Sequence, residues 1–226
     1  MDIDYILKRS NRKTIAIHIR DGLVEVRAPH KASIESIERF IRLKEKWIEQ
    51  KLVFSVARLE KRERFELRYG DYLLYRGEDY PIRAHDGGSM GFDDDGFYIP
   101  PNLSPKQIKD AVVKIYKVLA KRDITGRVYE IGDFVSLKPS AVKINSAKSR
   151  WGSCSARGSL NFSWLLIMAD DEVIDYIVLH ELMHMVEMNH SAHFWTKVKL
   201  YMPDYEVRKA RLKVLQKRLS EEDWTL

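Results

Sequence analysis

The decisive stretch of this sequence is Tyr176-Ile177-Val178-Leu179-His180-Glu181-Leu182-Met183-His184. No proline or glycine interrupts residues 171–188, and acidic residues at 170–172 come first, as is common at the start of a helix. Apolar side chains run into the stretch at helical spacing, namely Val173, Ile174, Ile177 and Val178. We therefore predict a buried helix that carries two histidines.

The spacing of these histidines indicates a metal site. Residues four apart on a helix lie about 6 Å apart along its axis and nearly above one another, so His180 and His184 can point at one ion. Glu181 lies roughly 100° around the helix, beside that face. A carboxylate there suits a general base that takes a proton from a water activated by zinc. Two paired core histidines without a metal would be the alternative, but they would leave Glu181 unexplained.

A catalytic zinc ion needs a third protein ligand, and His190 is the predicted one. We expect Asn189 to adopt the left-handed conformation that ends a helix, so that the chain turns back towards the metal. Ser191 would then cap a following helix that starts at Ala192. Glu187 and His193 are the alternative third ligands.

Several segments together are similar to one known family. These are Arg150-Trp151-Gly152-Ser153-Cys154-Ser155, the stretch 176–184, Asn189-His190-Ser191 and Phe194-Trp195. They resemble the YgjP-like metallopeptidase family, relatives of the WLM and SprT-type zincins, closely over about residues 105–205. The resemblance implies an α+β, zincin-like fold, one Zn²⁺ per chain on His180, His184 and His190, and Glu181 as general base. It leaves the substrate open, and we expect a peptide or protein. Metzincins share the histidine spacing, but Glu187 replaces their glycine and no convincing methionine turn follows.

Three further residues near the motif each have two interpretations. The Arg150 guanidinium could bind a carboxylate or phosphate of the substrate, or it could pair with an acid and brace its loop. Cys154 could approach the metal, but packing as a small buried residue is favoured. His193 is a candidate for substrate binding and, like Tyr201, for stabilising an oxyanion.

The composition limits the class of protein. A chain of 226 residues that is 45% hydrophobic can bury a substantial core. Its single cysteine rules out an internal disulfide and favours the cytoplasm. Residues 1–5 resemble neither a signal peptide nor an anchor, and the longest apolar run, 164–169, is too short to span a bilayer. We expect no membrane association, and nothing in the sequence indicates an oligomeric state.

The metal motif and the formal charge of +6 keep two other functions open. One is a metal-dependent nucleotide phosphohydrolase, of the nucleoside triphosphate pyrophosphatase type, in which Lys148 and Arg150 neutralise phosphates. The other is a DNA-associated, SprT-like protease. Part of the charge lies in residues 208–218, where we predict an amphipathic helix with a solvated basic face. The apolar face of that helix should carry Val207, Leu212, Val214, Leu215 and Leu219.

Turn residues predict the domain organisation. Residues 1–100 should form a strand-rich region with one helix, and residues 101–226 a zincin-like catalytic domain with a C-terminal helix, divided at Pro100-Pro101-Asn102. Ser104 should cap a helix that runs to about Tyr129. The remaining predicted elements are a hairpin of strands 14–19 and 23–27, a helix over 34–52, and strands at 65–69, 72–75, 142–145 and 160–164.

Overall fold

The structure, a computed structural model, describes residues 3–225, so Met1, Asp2 and Leu226 lie outside it. Helices and strands alternate irregularly along these residues, which makes the fold mixed α+β. The helices are α1 (Ile34–Leu43), α2 (Glu45–Glu63), α3 (Pro105–Phe134), α4 (Asp171–Met183), α5 (Ala192–Tyr201) and α6 (Tyr205–Leu219). The strands are β1 (Ile6–Ser10), β2 (Ala16–Arg20), β3 (Leu23–Pro29), β4 (Tyr72–Tyr75), β5 (Glu78–Ala84), β6 (Gly91–Asp93), β7 (Gly96–Ile99), β8 (Ala141–Asn145), β9 (Gly152–Cys154) and β10 (Ser159–Ser163).

The chain divides into two compact units. The first runs to Phe65 and includes Arg218–Asp223, and the second contains Glu66–Lys217 together with the residues from Trp224. The boundary expected at residues 100–102 therefore lies inside the second unit. There, strands β4 to β7 pack with α3: the Tyr116 hydroxyl donates to the Leu74 carbonyl at 2.6 Å, and the rings of Phe97 and Tyr116 meet at 5.1 Å.

In the first unit, a three-stranded sheet of order β1-β3-β2 packs on α1 and α2. β2 and β3 form the predicted antiparallel hairpin, and both turn residues, Asp21 and Gly22, have positive φ. β1 pairs with β3 in parallel and was not predicted, because nothing in a five-residue strand shows where its partner lies. The buried core of the unit contains Val24, Val26, Ala28, Ile37, Ile41 and Ile48.

The single helix predicted over 34–52 is wrong, because two helices meet at Lys44. The Lys44 N–H turns back to the Ile41 carbonyl at 2.9 Å, which tightens the last turn of α1. Ile41 and Ile48 are seven residues apart and face the same core on either side of the break. The regular spacing of apolar residues therefore continues across the junction, so the sequence pattern does not reveal the break between α1 and α2.

The second unit contains two sheets. The first has the order β4-β5-β7-β6, and β4 confirms the strand predicted at 72–75. Residues 65–69 are not a strand, which corrects that prediction. The Arg68 N–H donates instead to the Asp71 carboxylate at 2.7 Å, and the Asp71 N–H donates to the Arg68 carbonyl at 3.2 Å. This local turn satisfies the backbone groups that a strand would have needed to pair.

The long helix α3 begins as predicted at the Ser104 cap and continues five residues beyond Tyr129. The Ser104 hydroxyl accepts from the Gln107 N–H, and the Gln107 side chain accepts from the Ser104 N–H, which completes a capping box. Within residues 3–225, no helix is both long and apolar enough to cross a bilayer.

The second sheet leads into the decisive helix. β10 pairs in parallel with β8 and antiparallel with β9, in the order β8-β10-β9. A 3-10 helix, Trp164–Met168, then connects β10 to α4. β8 and β10 correspond to the strands predicted at 142–145 and 160–164, whereas the three-residue strand β9 was not predicted.

Helix α6 is present, and the apolar face predicted for it is confirmed in part. Leu212 is buried and Leu215 and Leu219 are half-buried, but Val207 and Val214 are exposed. The basic side chains are also not merely solvated: Arg211 pairs with Asp170 at 2.9 Å and contacts Glu172 as well. Ion pairs therefore connect α6 with the start of α4, and contacts of this kind leave no periodic sequence signal.

Candidate metal centre

Helix α4 carries the first two residues of the site. The Asp170 carboxylate caps it by accepting from the Val173 N–H at 3.0 Å, and acidic residues follow in the first turn. His180 and Glu181 lie in the last turn, and His184 is the C-terminal cap residue. The helix therefore ends within its own cluster of candidate ligands.

Three imidazole rings converge beside this helix end. The Nε2 atom of His184 lies 3.2 Å from those of both His180 and His190, and the latter two lie 2.9 Å apart. Two nitrogens that bind one zinc ion tetrahedrally, each at about 2.0 Å, would be about 3.3 Å apart. Three converging ring nitrogens cannot all donate to one another, so their lone pairs fit a shared cation. Within residues 3–225, these histidines are the only group of three or more His, Cys, Asp or Glu side chains that could hold a metal ion.

Neighbouring groups orient these rings. His184 Nδ1 lies 3.0 Å from the Glu187 carbonyl, which can accept its proton and leave the Nε2 lone pair towards the cluster. The rings of His184 and Phe194 stack at 4.5 Å, and those of His190 and Trp195 at 5.7 Å. Two successive aromatic residues of α5 thus pack against two of the candidate ligands.

The chain reaches His190 through a turn that differs from the expected one. Asn189 is not among the residues with positive φ, so the left-handed conformation predicted for it is wrong. The Glu187 N–H donates instead to the Met183 carbonyl at 2.9 Å, and the Asn189 side chain accepts from the Ser191 N–H at 3.1 Å. The predicted cap is present, since the Ser191 hydroxyl accepts from the Phe194 N–H at 3.2 Å. Two side-chain caps therefore position His190 between the turn and α5.

The alternative ligands lie outside the cluster. Among the described residues, neither the Glu187 carboxylate, the His193 ring nor the Cys154 thiol belongs to it. Glu187 contributes its backbone carbonyl instead. His193 is exposed on α5, and neither it nor Tyr201 lines the cleft next to the histidines.

Burial changes the acid–base properties of the site. It is the main cause that lowers the pKa of His180 to about 3, with smaller effects from His184, His190 and Lys209. His180 is therefore neutral at physiological pH, as a metal ligand must be. Burial also raises the pKa of Glu181 to about 7, against the opposing charge of Arg150. A carboxyl group that titrates near neutrality is suited to accept and return a proton.

Gly152, in strand β9, lies directly against Glu181. A Cβ atom at this position would be 2.6 Å from both Cγ and Oε1 of Glu181, which is closer than such contacts allow. Glu181 is only 5% exposed, and its Oε2 atom has no hydrogen-bond partner among residues 3–225. Sequence reasoning missed this contact, although a glycine within a strand is a known sign of close approach by another group.

These residues line a cleft of about 410 Å³. Residues 150–154 form one wall, and Tyr176 and Ile177 of α4 lie in another. Arg150 is exposed there and forms no hydrogen bond or ion pair with any described residue. Bracing of the loop through an acid is therefore not observed, and the guanidinium is available to a ligand.

Cys154 lies in the same wall. Its thiol donates to the Ser155 carbonyl at 3.4 Å. Burial and the charge of Glu181 raise the pKa of Cys154. The thiol form is therefore favoured over the thiolate that binds metals.

Two solved structures are similar to part of this chain. The crystal structure of the metallopeptidase zymogen abylysin from Pyrococcus abyssi is 21% identical, with a TM-score of 0.38, and the match covers 44% of this chain and 97% of that one. The corresponding zymogen jannalysin from Methanocaldococcus jannaschii is 29% identical, with a TM-score of 0.37, and the match covers 42% and 97%. A search of curated proteins found no significant match.

A family model gives a match over most of the chain. Residues 13–215 match the model described as YgjP-like, metallopeptidase domain. Membership of that family implies a metallopeptidase that uses a divalent metal ion. The chain has three histidines that could bind such an ion. This chain belongs to the YgjP-like metallopeptidase family.

Proposed function

We propose that this protein is a zinc-dependent peptidase with one ion per chain, held by His180, His184 and His190. The observation that carries the proposal is the convergence of three Nε2 atoms, 2.9–3.2 Å apart, beside a buried Glu181. Three nitrogen ligands leave a fourth position free for water or substrate, as catalytic zinc sites require. A zincin-like arrangement of the catalytic domain is part of this proposal.

Each group has a distinct role in hydrolysis of the amide bond. A zinc ion would act as a Lewis acid that lowers the pKa of water and polarises the scissile carbonyl. Glu181 accepts a proton as the water oxygen bonds to the carbonyl carbon, and it returns that proton to the amine nitrogen as the C–N bond breaks. Gly152 leaves room for the carboxylate, and the surrounding burial keeps its pKa near neutrality.

Arg150 is the proposed substrate-binding residue. Its guanidinium lies in the wall of the cleft and is free of ion pairs among the described residues. A planar guanidinium binds a carboxylate through two parallel hydrogen bonds, so a substrate carboxylate is the expected ligand. His193 is not included, because it does not line the cleft.

The first experiment combines metal analysis with activity. We expect purified wild type to bind about one zinc ion per chain and His184→Ala to lose it. A mixed panel of peptides and nucleoside triphosphates is then incubated with zinc-loaded wild type and Glu181→Gln. Cleavage of peptides by wild type, and its loss in zinc-loaded Glu181→Gln, would support the peptidase.

Other outcomes would replace the proposal. Turnover of nucleotides but not peptides would indicate the phosphohydrolase. Peptide cleavage that depends on salt-sensitive DNA binding would indicate the DNA-associated protease. A zinc-loaded Glu181→Gln variant with normal activity would remove Glu181 as the base.

A further inference from the structure

Tyr176 lies one helical turn before His180 on α4. The two rings meet edge to face, with centroids 5.9 Å apart and an interplanar angle of 69°. Residues four apart share a helix face, so the phenol extends the row of side chains formed by His180 and His184. Tyr176 also lines the cleft that contains Glu181 and the histidine cluster.

The hydroxyl group of Tyr176 has an unusual environment. The residue is only 3% exposed, and buried tyrosine hydroxyls normally have a hydrogen-bond partner. Tyr75 and Tyr116 follow this rule: their hydroxyls donate to the Asp123 carboxylate and the Leu74 carbonyl, each at 2.6 Å. The Tyr176 hydroxyl has no hydrogen-bond partner among residues 3–225, and it retains contact with solvent in a side chain that lines the cleft.

The cleft therefore contains two unpaired polar groups of opposite kind. Glu181 offers an acceptor oxygen, and Tyr176 offers a hydroxyl donor. An attacking water can donate its proton to the Glu181 carboxylate. A carbonyl oxygen that gains negative charge can accept the hydrogen bond of the Tyr176 hydroxyl.

We propose that Tyr176 is a further catalytic residue, whose hydroxyl donates a hydrogen bond to the oxygen of the scissile carbonyl as that oxygen becomes an oxyanion. The inference rests on the proposed peptidase function. As the water oxygen bonds to the carbonyl carbon, the π-electron pair of the carbonyl moves onto its oxygen, and Glu181 takes the proton of the water. The hydrogen bond strengthens with this charge, so it favours the transition state over the ground state. Tyr176 replaces His193 and Tyr201, which do not line the cleft.

The test uses Tyr176→Phe, which removes the hydroxyl and keeps the ring. The substrate is the peptide that zinc-loaded wild type cleaves fastest in the mixed panel. We expect Tyr176→Phe to retain zinc and a nearly unchanged KM, while kcat falls by about 10²-fold. A phosphonamidate analogue, with a tetrahedral anionic phosphorus in place of the scissile carbonyl, should lose affinity in proportion. The product peptide should bind as before.

Tyr205→Phe is the matched control. The Tyr205 ring stacks on that of Tyr176 at 6.3 Å, but its hydroxyl donates to the Glu206 carboxylate at 3.2 Å. We expect this variant to keep wild-type kcat. An equal loss in both variants would show that removing either hydroxyl disturbs this pair of tyrosines, and it would overturn the proposal.

Three results with Tyr176→Phe would also overturn it: an unchanged kcat, a rise in KM alone, or a fall in kcat that follows loss of zinc. If zinc-loaded wild type cleaves no peptide, the peptidase function fails and this inference fails with it. If Glu181-dependent cleavage is present and Tyr176→Phe is fully active, only the role of Tyr176 is rejected.

Discussion

At the scale of single residues, the site depends on how closely backbone and side chain approach each other. Gly152 allows β9 to lie against the Glu181 carboxylate, and that packing restricts the conformations of the proposed base. The three histidines are held differently, by a backbone carbonyl at His184 and by the rings of α5. The position of the base and the binding of the metal should therefore respond to different substitutions.

We predict that Gly152→Ala lowers kcat by about 10²-fold, because misplacement of a catalytic group by about 1 Å has an effect of that size. The new methyl group would meet Glu181 at 2.6 Å and displace it, whereas the histidines keep their contacts. Kinetics and zinc content of the same preparation provide the measurement.

Gly126→Ala is the control for this change. A Cβ at Gly126, within α3, would meet no atom within 4 Å. It should leave activity unchanged and stabilise the helix by about 0.5–1 kcal/mol. Wild-type kcat in Gly152→Ala would show that the cleft relaxes around the methyl group, and the positioning argument would then be wrong.

At the scale of elements, α5 links a local cap to the candidate ligands. Its first turn carries Phe194 and Trp195, whose rings stack on His184 and His190. The Ser191 hydroxyl fixes this turn by accepting from the Phe194 N–H. Stability of one short helix should therefore influence metal affinity.

Ser191→Ala should destabilise the fold by about 1 kcal/mol, the usual effect of losing such a cap. It should also weaken zinc binding, measured by competition with a chromogenic chelator, because the rings that support the ligands become less fixed. Ser104→Ala removes the cap of α3 in the same unit and should have a similar effect on stability. Equal zinc affinities in the two variants would contradict the proposed link.

At the scale of the whole molecule, the two compact units should respond differently to metal. All three candidate ligands belong to the second unit, whereas the hydrophobic core of the first is formed by its own sheet and helices. Each unit can therefore be followed by peptides from its own segments.

We predict that zinc at 1,000 times its dissociation constant stabilises the second unit by about 4 kcal/mol, because the ion binds the folded site. Amide hydrogen exchange should slow in residues 171–201 and remain unchanged in residues 16–48. A chelator should reverse the effect, and His184→Ala should not show it. Equal protection of both units would indicate that they unfold together.

Local features of the sequence were sufficient for much of the site. His180, Glu181 and His184 could be placed together because a helix brings residues three or four apart to one side. The caps at Ser104 and Ser191 and the turn at Asp21-Gly22 were equally predictable, since each depends on neighbours within a few residues.

Only the tertiary structure decided the rest. Gly152 lies against Glu181 across 29 positions of sequence, and β1 pairs with a strand 19 residues further along. The tertiary structure also decides that the Tyr176 hydroxyl has no hydrogen-bond partner among residues 3–225, because the residues around the cleft come from separate segments. Sequence by itself determined the helix and its spacing of ligands, because backbone geometry sets them locally. The tertiary structure determined which side chains surround the base, because that depends on contacts between distant segments.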